Sequence, residues 1–294
     1  MNTTQLKAMV ADLLKEMNLG SQEPPVKSSD YHPTQPEPAT DFSDTDLRQL
    51  YLVEKPMHPE EFLRLKKKTP ARLGVGRAGA RYKTATMLRF RADHAAAQDS
   101  VFSEVPEDFA KGNDLVPLKT LCTNKDEYLT RPDLGRRFDE HNQKVIRSVC
   151  GEHPKVVLVV GDGLSSAAIE ANAMDCLSSI RQGLSHYGIA PAKALYVHYC
   201  RVGASDHIGT LTNADLVCML VGERPGLVTA ESMSCYLTYA PRIGVPESQR
   251  TVVSNIHSQG TPAVEAGAHI AELIAKMLEF RCSGIALKEK LHEG

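Results

Sequence analysis

Two glycine-bearing segments carry a residue spacing that suits a phosphate or a nucleotide. Residues 161–166 (GDGLSS) follow an apolar run and precede a helical pattern, so the turn would offer free N–H groups at a helix start. Ser166 replaces the third glycine of the dinucleotide motif, and no acidic residue ends the next strand to bind a ribose. Residues 74–79 (GVGRAG) match the motif in letters, but no convincing strand precedes them. Their glycines are instead expected to allow a close backbone approach beside Arg77 and Arg81, at a subunit contact or an anionic group.

The other polar residues form no self-contained catalytic constellation. Ser165 lacks the G-x-S-x-G setting of a hydrolase nucleophile. His198 lies within an apolar strand pattern, which favours a hydrogen-bonded structural histidine. Asp206, His207 and Gly209 approach the Asp-x-His-x-x-Gly motif whose histidine ligates cobalt in some cobalamin proteins, but the spacing differs. We therefore predict no cobalt ligand from this protein.

Composition excludes several classes of function. The 294 residues include 34 basic and 36 acidic side chains, so a formal charge of −2 favours neither nucleic acid nor an anionic membrane. No apolar run approaches the ~20 residues of a membrane span, and the N-terminus lacks the pattern of a secretory signal. The seven cysteines have no C-x-x-C spacing and lie in apolar segments, which predicts buried, reduced thiols in a cytosolic protein.

The second half of the chain has the alternation of strands and helices that predicts an α/β sheet. Short apolar runs, typical of buried parallel strands, occur at 155–160, 194–200, 215–222 and 250–256. Ligands of such sheets bind beyond the carboxyl ends of the strands. Those ends fall at 161–166, 201–203, 222–226 and 254–260. We predict a Rossmann-like, doubly wound and mostly parallel sheet, preceded by a mainly helical region and a disordered N-terminal extension.

Helix starts can also be predicted from the sequence. A helical pattern begins near Thr84, and a second begins near Asp133. The last helix is predicted to have Thr261 as its N-cap and Pro262 as its first residue. Few strands are visible before residue 151.

We divide the chain into four parts. Residues 1–20 have the apolar spacing of an amphipathic helix, and residues 21–45 form a proline-rich linker. Residues 46–150 form the mainly helical domain, and residues 151–294 form the sheet domain. A short amphipathic helix on such a linker either packs on its own protein or serves as a docking peptide for another, such as a shell or scaffold protein.

Seven segments, in order along the chain, resemble the small (light) subunit of ethanolamine ammonia-lyase, the adenosylcobalamin-dependent enzyme of bacterial ethanolamine use. They are GRAGARYKT (76–84), LRFRADHA (88–95), YLTRPDLGRR (128–137), VVGDGLSSAAI (159–169), VGERPGL (221–227), SCYLTYAPR (234–242) and SNIHSQGTPAVEA (254–266). The pair VGERPGL and SNIHxxGTP is the most specific.

This resemblance implies a division of labour between two chains. The family's large subunit is a TIM-type barrel that carries the substrate site and the radical chemistry converting ethanolamine to acetaldehyde and ammonia. The small subunit supplies a Rossmann-like domain that covers adenosylcobalamin at the subunit interface. The resemblance also implies a hetero-oligomer of several large and small pairs, with the cofactor's own benzimidazole as the lower cobalt ligand.

The family's cofactor contacts correspond to three residues here, which are Val202 in CRVG, Glu223 in VGERPG and Val252 in RTVVSN. Some relatives have cysteine where Val252 stands, so a backbone contact is expected there. Glu223 is expected to accept hydrogen bonds from amide groups of the corrin. No residue of this chain is expected to be catalytic.

The resemblance also implies a location in the bacterial cytoplasm, within a microcompartment, with residues 1–20 as the segment that binds a shell protein. Two alternatives stay open at this point. One is a nucleotide-dependent oxidoreductase of Rossmann type, and the other is a non-catalytic microcompartment scaffold protein.

Overall fold

The computed structural model describes residues 51–293. The helices are α1 Pro59–Lys66, α2 Thr84–Phe102, α3 Phe109–Gly112, α4 Lys125–Thr130, α5 Glu140–Cys150, α6 Ser166–His186, α7 Ala204–Thr212, α8 Ala263–Phe280 and α9 Ile285–Glu293. The strands are β1 Arg77–Ala78, β2 Arg81–Tyr82, β3 Val116–Lys119, β4 Val156–Gly161, β5 Leu195–His198, β6 Leu216–Gly222, β7 Met233–Tyr239 and β8 Arg250–Ile256. The predicted helix at 1–20 and linker at 21–45 lie outside the described residues.

One six-stranded sheet organises the chain, in the order β3-β5-β4-β6-β7-β8. The pairs among β3, β5, β4 and β6 are parallel, whereas β7 runs antiparallel to both of its neighbours. The prediction of an α/β fold is confirmed. The prediction of a mostly parallel, doubly wound sheet needs correction to a mixed sheet, because a loop without a helix joins β6 to β7 and returns the chain beside its own strand.

Apolar side chains cover both faces of the sheet. On one side, which we call the α6–α8 face, residues of β4, β6 and β7 pack against helices α6 and α8. On the other side, the α5–α7 face, alternate residues of the same strands pack against α5 and α7. Since every residue of β4 and β6 is buried, these strands read as continuous apolar runs in the sequence.

The region before residue 151 is mainly helical among its described residues, but it also contributes to the sheet. Strand β3, the short segment VPLK, pairs with β5 at one edge. The boundary that we placed between residues 150 and 151 stays a prediction. The helix predicted near Thr84 is confirmed, with Thr84 as its first residue.

The helix predicted to start near Asp133 begins later, so that prediction was wrong. Residues Leu134–Arg136 form a separate 3-10 turn, and α5 starts at Glu140. The reason is a side-chain cap, because the carboxylate of Asp139 accepts the backbone N–H of Asn142 at 2.8 Å.

The predicted cap of the last helix also needs correction. Thr261 stands in an isolated β-bridge with Ile256, and its N–H donates to the carbonyl of Asn255 at 2.9 Å. The bridge keeps Thr261 extended, so Pro262 becomes the N-cap and Ala263 the first helical residue.

The glycines at 74–79 serve a backbone approach, as predicted. All three have positive φ, and a Cβ on Gly76 would lie 2.5 Å from the carbonyl oxygen of Leu52. The segment contains β1 and the start of the turn to β2, so it forms part of a hairpin and does not open a helix. This geometry does not fit a dinucleotide motif, which requires a strand before the glycines and a helix after them.

Candidate functional site

The loops predicted to hold a ligand meet at one edge of the sheet. Strands β4, β5 and β6 are parallel, so their carboxyl ends lie side by side. Backbone hydrogen bonds join the loops, from Leu164 N–H to Gly222 O at 3.0 Å and from Cys200 N–H to Asp162 O at 2.8 Å. A Cβ on Gly163 would lie 2.6 Å from Gly222 O, so the second glycine of GDGLSS allows one loop to pass the other.

Val202 lies in the turn between β5 and α7, and its side chain packs partly buried against the core of the α5–α7 face. The preceding residue anchors the turn. The guanidinium of Arg201 donates to Tyr128 O at 2.7 Å and lies 4.3 Å above the Tyr128 ring. Its backbone N–H donates to Gly135 O at 2.9 Å, which ties the turn to the 3-10 segment.

Glu223 is the first residue after β6 and begins the loop that returns to β7. Its backbone N–H donates to Ser232 O at 3.0 Å, which extends the ladder between the two strands. Helix α6 holds the far end of this loop, because the Asn172 side-chain amide donates to Glu231 O at 2.9 Å. The loop that carries Glu223 is therefore held from both ends.

Val252 lies on β8 with 46% of its surface exposed, directly opposite Tyr236 of β7. Paired residues of adjacent strands point to the same face, so Val252 shares the α5–α7 face with Tyr236. The Tyr236 hydroxyl donates a hydrogen bond to Oε1 of Glu223 at 2.7 Å. Tyr236 thus joins two of the three expected contact residues.

A buried ion pair links the Val202 turn to β8. Both terminal guanidinium nitrogens of Arg250 donate to the Asp206 carboxylate at 2.8 Å, and the Arg250 side chain is only 2% exposed. Burial opposes the charge on Arg250, but the hydrogen bonds that it donates to Asp206 and Glu247 outweigh this effect, so the pKa of the guanidinium is raised. Because Asp206 lies in the first turn of α7 and Arg250 begins β8, the pair fixes Val202 and Val252 on one framework.

Ser234 is a buried polar residue of this face. It is 1% exposed, and its Oγ has no hydrogen-bond partner among the described residues. It shares the face with Tyr236, two residues along β7. Opposite Ser234 the register between β7 and β8 shifts, and Asn255 takes a positive φ of 63°. Such bulges are common beside functional sites, where they redirect side chains.

The histidines singled out in the sequence are hydrogen-bonded within the chain. His198 Nδ1 lies 3.1 Å from Oδ2 of the fully buried Asp162, which confirms the prediction of a structural histidine. His207 Nδ1 accepts the backbone N–H of Phe138 at 3.2 Å. Burial, followed by nearby arginine charges, lowers the pKa of His207, which suits a neutral imidazole that accepts this bond.

Residues 51–293 contain neither a cluster of metal-ligand side chains nor a membrane-spanning helix. No group of three or more His, Cys, Asp or Glu in this range could hold a metal ion. None of the helices in this range is long and apolar enough to cross a membrane. All seven cysteines are free thiols and six are buried, as predicted, and burial raises the pKa of Cys150 to about 11.

Sequence reasoning missed Tyr236, Ser234 and the Asp206–Arg250 pair. The segment SCYLTYAPR contributed to the resemblance, but it was assigned neither a strand nor a role. The alternation of apolar residues (Met233, Cys235, Leu237) with polar ones (Ser234, Thr238) is a usable signal for a strand, and that strand would have put Ser234 and Tyr236 on one face.

Comparisons with known proteins identify the family. The family model described as ethanolamine ammonia-lyase light chain (EutC) matches residues 59–288. A protein of Clostridium perfringens named ethanolamine ammonia-lyase small subunit is 57% identical, covering 98% of this chain and 100% of its own length. Proteins of the same name from Lachnoclostridium phytofermentans and Clostridioides difficile are 62% and 54% identical, covering 84% and 98% of this chain and 84% and 100% of their own lengths. The chain therefore belongs to the ethanolamine ammonia-lyase small-subunit family.

Proposed function

We propose that this chain binds one side of adenosylcobalamin at its interface with an ethanolamine ammonia-lyase large subunit, and that Val202, Glu223 and Val252 contact the cofactor. The observation that carries the proposal is the linkage of these residues on one framework. Tyr236 joins Glu223 to Val252, and the Asp206–Arg250 pair ties the Val202 turn to β8.

The residues fit the chemistry of cobalamin. The edge of the corrin carries carboxamide chains, which donate and accept hydrogen bonds, separated by methyl and methylene groups. The face offers a carboxylate acceptor at Glu223, a buried hydroxyl at Ser234 with no partner among residues 51–293, and exposed apolar surface at Val252. A buried polar group without a partner costs about 1–3 kcal/mol, so a ligand that satisfies Ser234 would be favoured.

Bound adenosylcobalamin supplies the radical chemistry for the conversion of ethanolamine to acetaldehyde and ammonia. The residues of this chain bind and orient it. Glu223 accepts amide N–H groups, while Val202 and Val252 pack against apolar parts of the ring and exclude water. The chain holds no catalytic residue in this account, and substrate selection belongs to the large subunit.

Co-expression with the large-subunit partner tests the proposal. We expect the purified pair to form acetaldehyde from ethanolamine when adenosylcobalamin is added, and neither chain to do so alone. Nicotinamide-linked turnover by the single chain would favour the oxidoreductase instead. A cofactor titration of the large subunit that is unchanged by adding this chain would favour the scaffold protein.

The parallel strands β5, β4 and β6, with helices on both faces of the sheet, support a Rossmann-like description of residues 151–294. We likewise propose that several large and small pairs assemble into one hetero-oligomer. Size-exclusion chromatography with light scattering on the co-expressed complex would give the number of pairs, and a mass of one pair alone would contradict this assembly.

Residues 1–20 are proposed to bind a microcompartment shell protein, on the strength of their amphipathic spacing and the proline-rich segment that follows. Deleting them is expected to abolish co-purification with shell proteins and to leave the activity of the assembled enzyme unchanged. The intact chain is the control. Undiminished co-purification would contradict a docking function for this segment.

A further inference from the structure

Tyr236 is placed to fix the orientation of the Glu223 carboxylate. Its hydroxyl donates to Oε1 of Glu223 at 2.7 Å, and within residues 51–293 it is the one side chain that hydrogen-bonds this carboxylate. An ionised carboxylate has about four sites that accept hydrogen bonds, so Oε2 and one site of Oε1 stay available for a ligand. The bond therefore fixes the direction of the carboxylate without using up its capacity.

The tyrosine itself is held from two sides. Its ring packs half-buried against the core of the α5–α7 face, and its backbone pairs with Met219 of β6 and Val252 of β8. A side chain fixed on a central strand loses little further entropy when it orients a neighbour. Glu223, by contrast, lies at the start of a loop, where its own rotamers would be free without this bond.

The hydroxyl also keeps its proton. Burial, followed by the hydrogen bond and charge of Glu223, raises the pKa of Tyr236 well above its ordinary value. Tyr236 is therefore a donor at neutral pH, and the direction of the hydrogen bond is fixed from tyrosine to carboxylate.

We propose that Tyr236 is a positioning residue of the cofactor site, whose hydroxyl holds the Glu223 carboxylate so that its free lone pairs accept amide N–H groups of the corrin side chains. This inference rests on the proposed function, because it needs the cofactor at Glu223. It adds a residue that acts through Glu223 and beside Val252.

The test uses the complex with the large subunit, titrated with adenosylcobalamin and followed by its absorbance. Four variants are compared with the wild type, which are Tyr236→Phe, Glu223→Ala, the double variant and Tyr239→Phe. Tyr239 is the matched control, since it lies on the same strand and packs against the opposite face. Thermal unfolding and activity at saturating cofactor are measured alongside.

We expect Tyr236→Phe to raise the Kd for adenosylcobalamin roughly 5-fold, the usual effect of losing one hydrogen bond, and to leave kcat at saturating cofactor unchanged. The double variant should bind no more weakly than Glu223→Ala, because the tyrosine acts through the carboxylate. Tyr239→Phe should match the wild type. If Tyr236 served folding alone, Tyr236→Phe would lower the melting temperature, and its effect on cofactor binding would not depend on the presence of Glu223.

Each other outcome has a separate meaning. If Glu223→Ala binds the cofactor as the wild type does, the proposed contact at Glu223 is wrong and the role of Tyr236 is wrong with it. If Glu223→Ala binds weakly but Tyr236→Phe binds normally, the cofactor site stands and the positioning role is overturned. The positioning role is also overturned if Tyr236→Phe weakens cofactor binding equally in the presence and in the absence of the Glu223 side chain.

Discussion

Replacing Asp206 with alanine is expected to destabilise the chain by about 3 kcal/mol, because the change leaves the Arg250 guanidinium buried without its main partner. Arg250 is bonded to Asp206 at two positions and its side chain is 2% exposed, so water cannot replace the carboxylate. We place the loss at the low end for buried pairs because Glu247 still contacts Arg250 at 2.7 Å. Urea unfolding of the purified chain, followed by circular dichroism, measures the change.

The matched control is Glu272→Ala on helix α8. It breaks an ion pair with Lys276 at 2.7 Å, close to the 2.8 Å between Asp206 and Arg250, but both side chains are at least 40% exposed. Exposed pairs of this kind contribute little to stability, because water and salt screen the two charges. Equal losses of unfolding free energy for Asp206→Ala and Glu272→Ala would mean that Arg250 is accessible to water. The ion pair between α7 and β8 would then contribute little to stability.

Replacing Glu223 with alanine is expected to weaken the affinity of the assembled enzyme for adenosylcobalamin by about 1–3 kcal/mol, which is roughly 5- to 150-fold in Kd. The physical reason is that amide donors of the corrin, buried at the interface, would lose their acceptor. Spectral titration of the complex measures it, and saturating cofactor should restore activity.

Glu231→Ala is the control for this change. Glu231 is exposed and lies at the other end of the loop that carries Glu223, so its removal alters the charge of the same loop without touching Tyr236. We expect wild-type affinity for this variant. An equal loss in both variants would indicate a general effect of loop charge rather than a contact at Glu223.

Much of the fold could be predicted because its central strands are buried on both faces. A run such as KVVLVV leaves little choice but a buried strand, and the predicted strand at 215–222 closely matches β6. The direction of β7 could not be predicted from its composition, because parallel and antiparallel strands have similar side chains. The sequence did hold one signal of the antiparallel direction, because no helical pattern lies between β6 and β7, and a parallel strand would need a long crossover there.

Strand β3 was not predicted, for a different reason. It has four residues, one of them proline, and it pairs on one side only, so the pattern of a buried strand is absent. Its place in the sheet depends on β5, which is distant in the sequence. Local patterns do not contain that information.

The candidate site, like the fold, could be predicted only in part from local sequence patterns. Val202, Glu223 and Val252 came from a family resemblance, and spacing alone would not have selected them. Tyr236 became visible only through the β7–β8 register, which places it opposite Val252 and within reach of Glu223. If the strand register were shifted by one residue, Tyr236 would point to the α6–α8 face instead.

The central claim is that cobalamin lies against the α5–α7 face, beside the carboxyl end of β6 and over Val252 of β8, between this chain and the large subunit. A cryo-electron microscopy reconstruction of the complex with bound cofactor tests it most directly. The account predicts corrin density in contact with Val202, Glu223 and Val252, closed from the far side by the large subunit. Corrin density against the α6–α8 face, or enclosed by the large subunit without these residues, would contradict it.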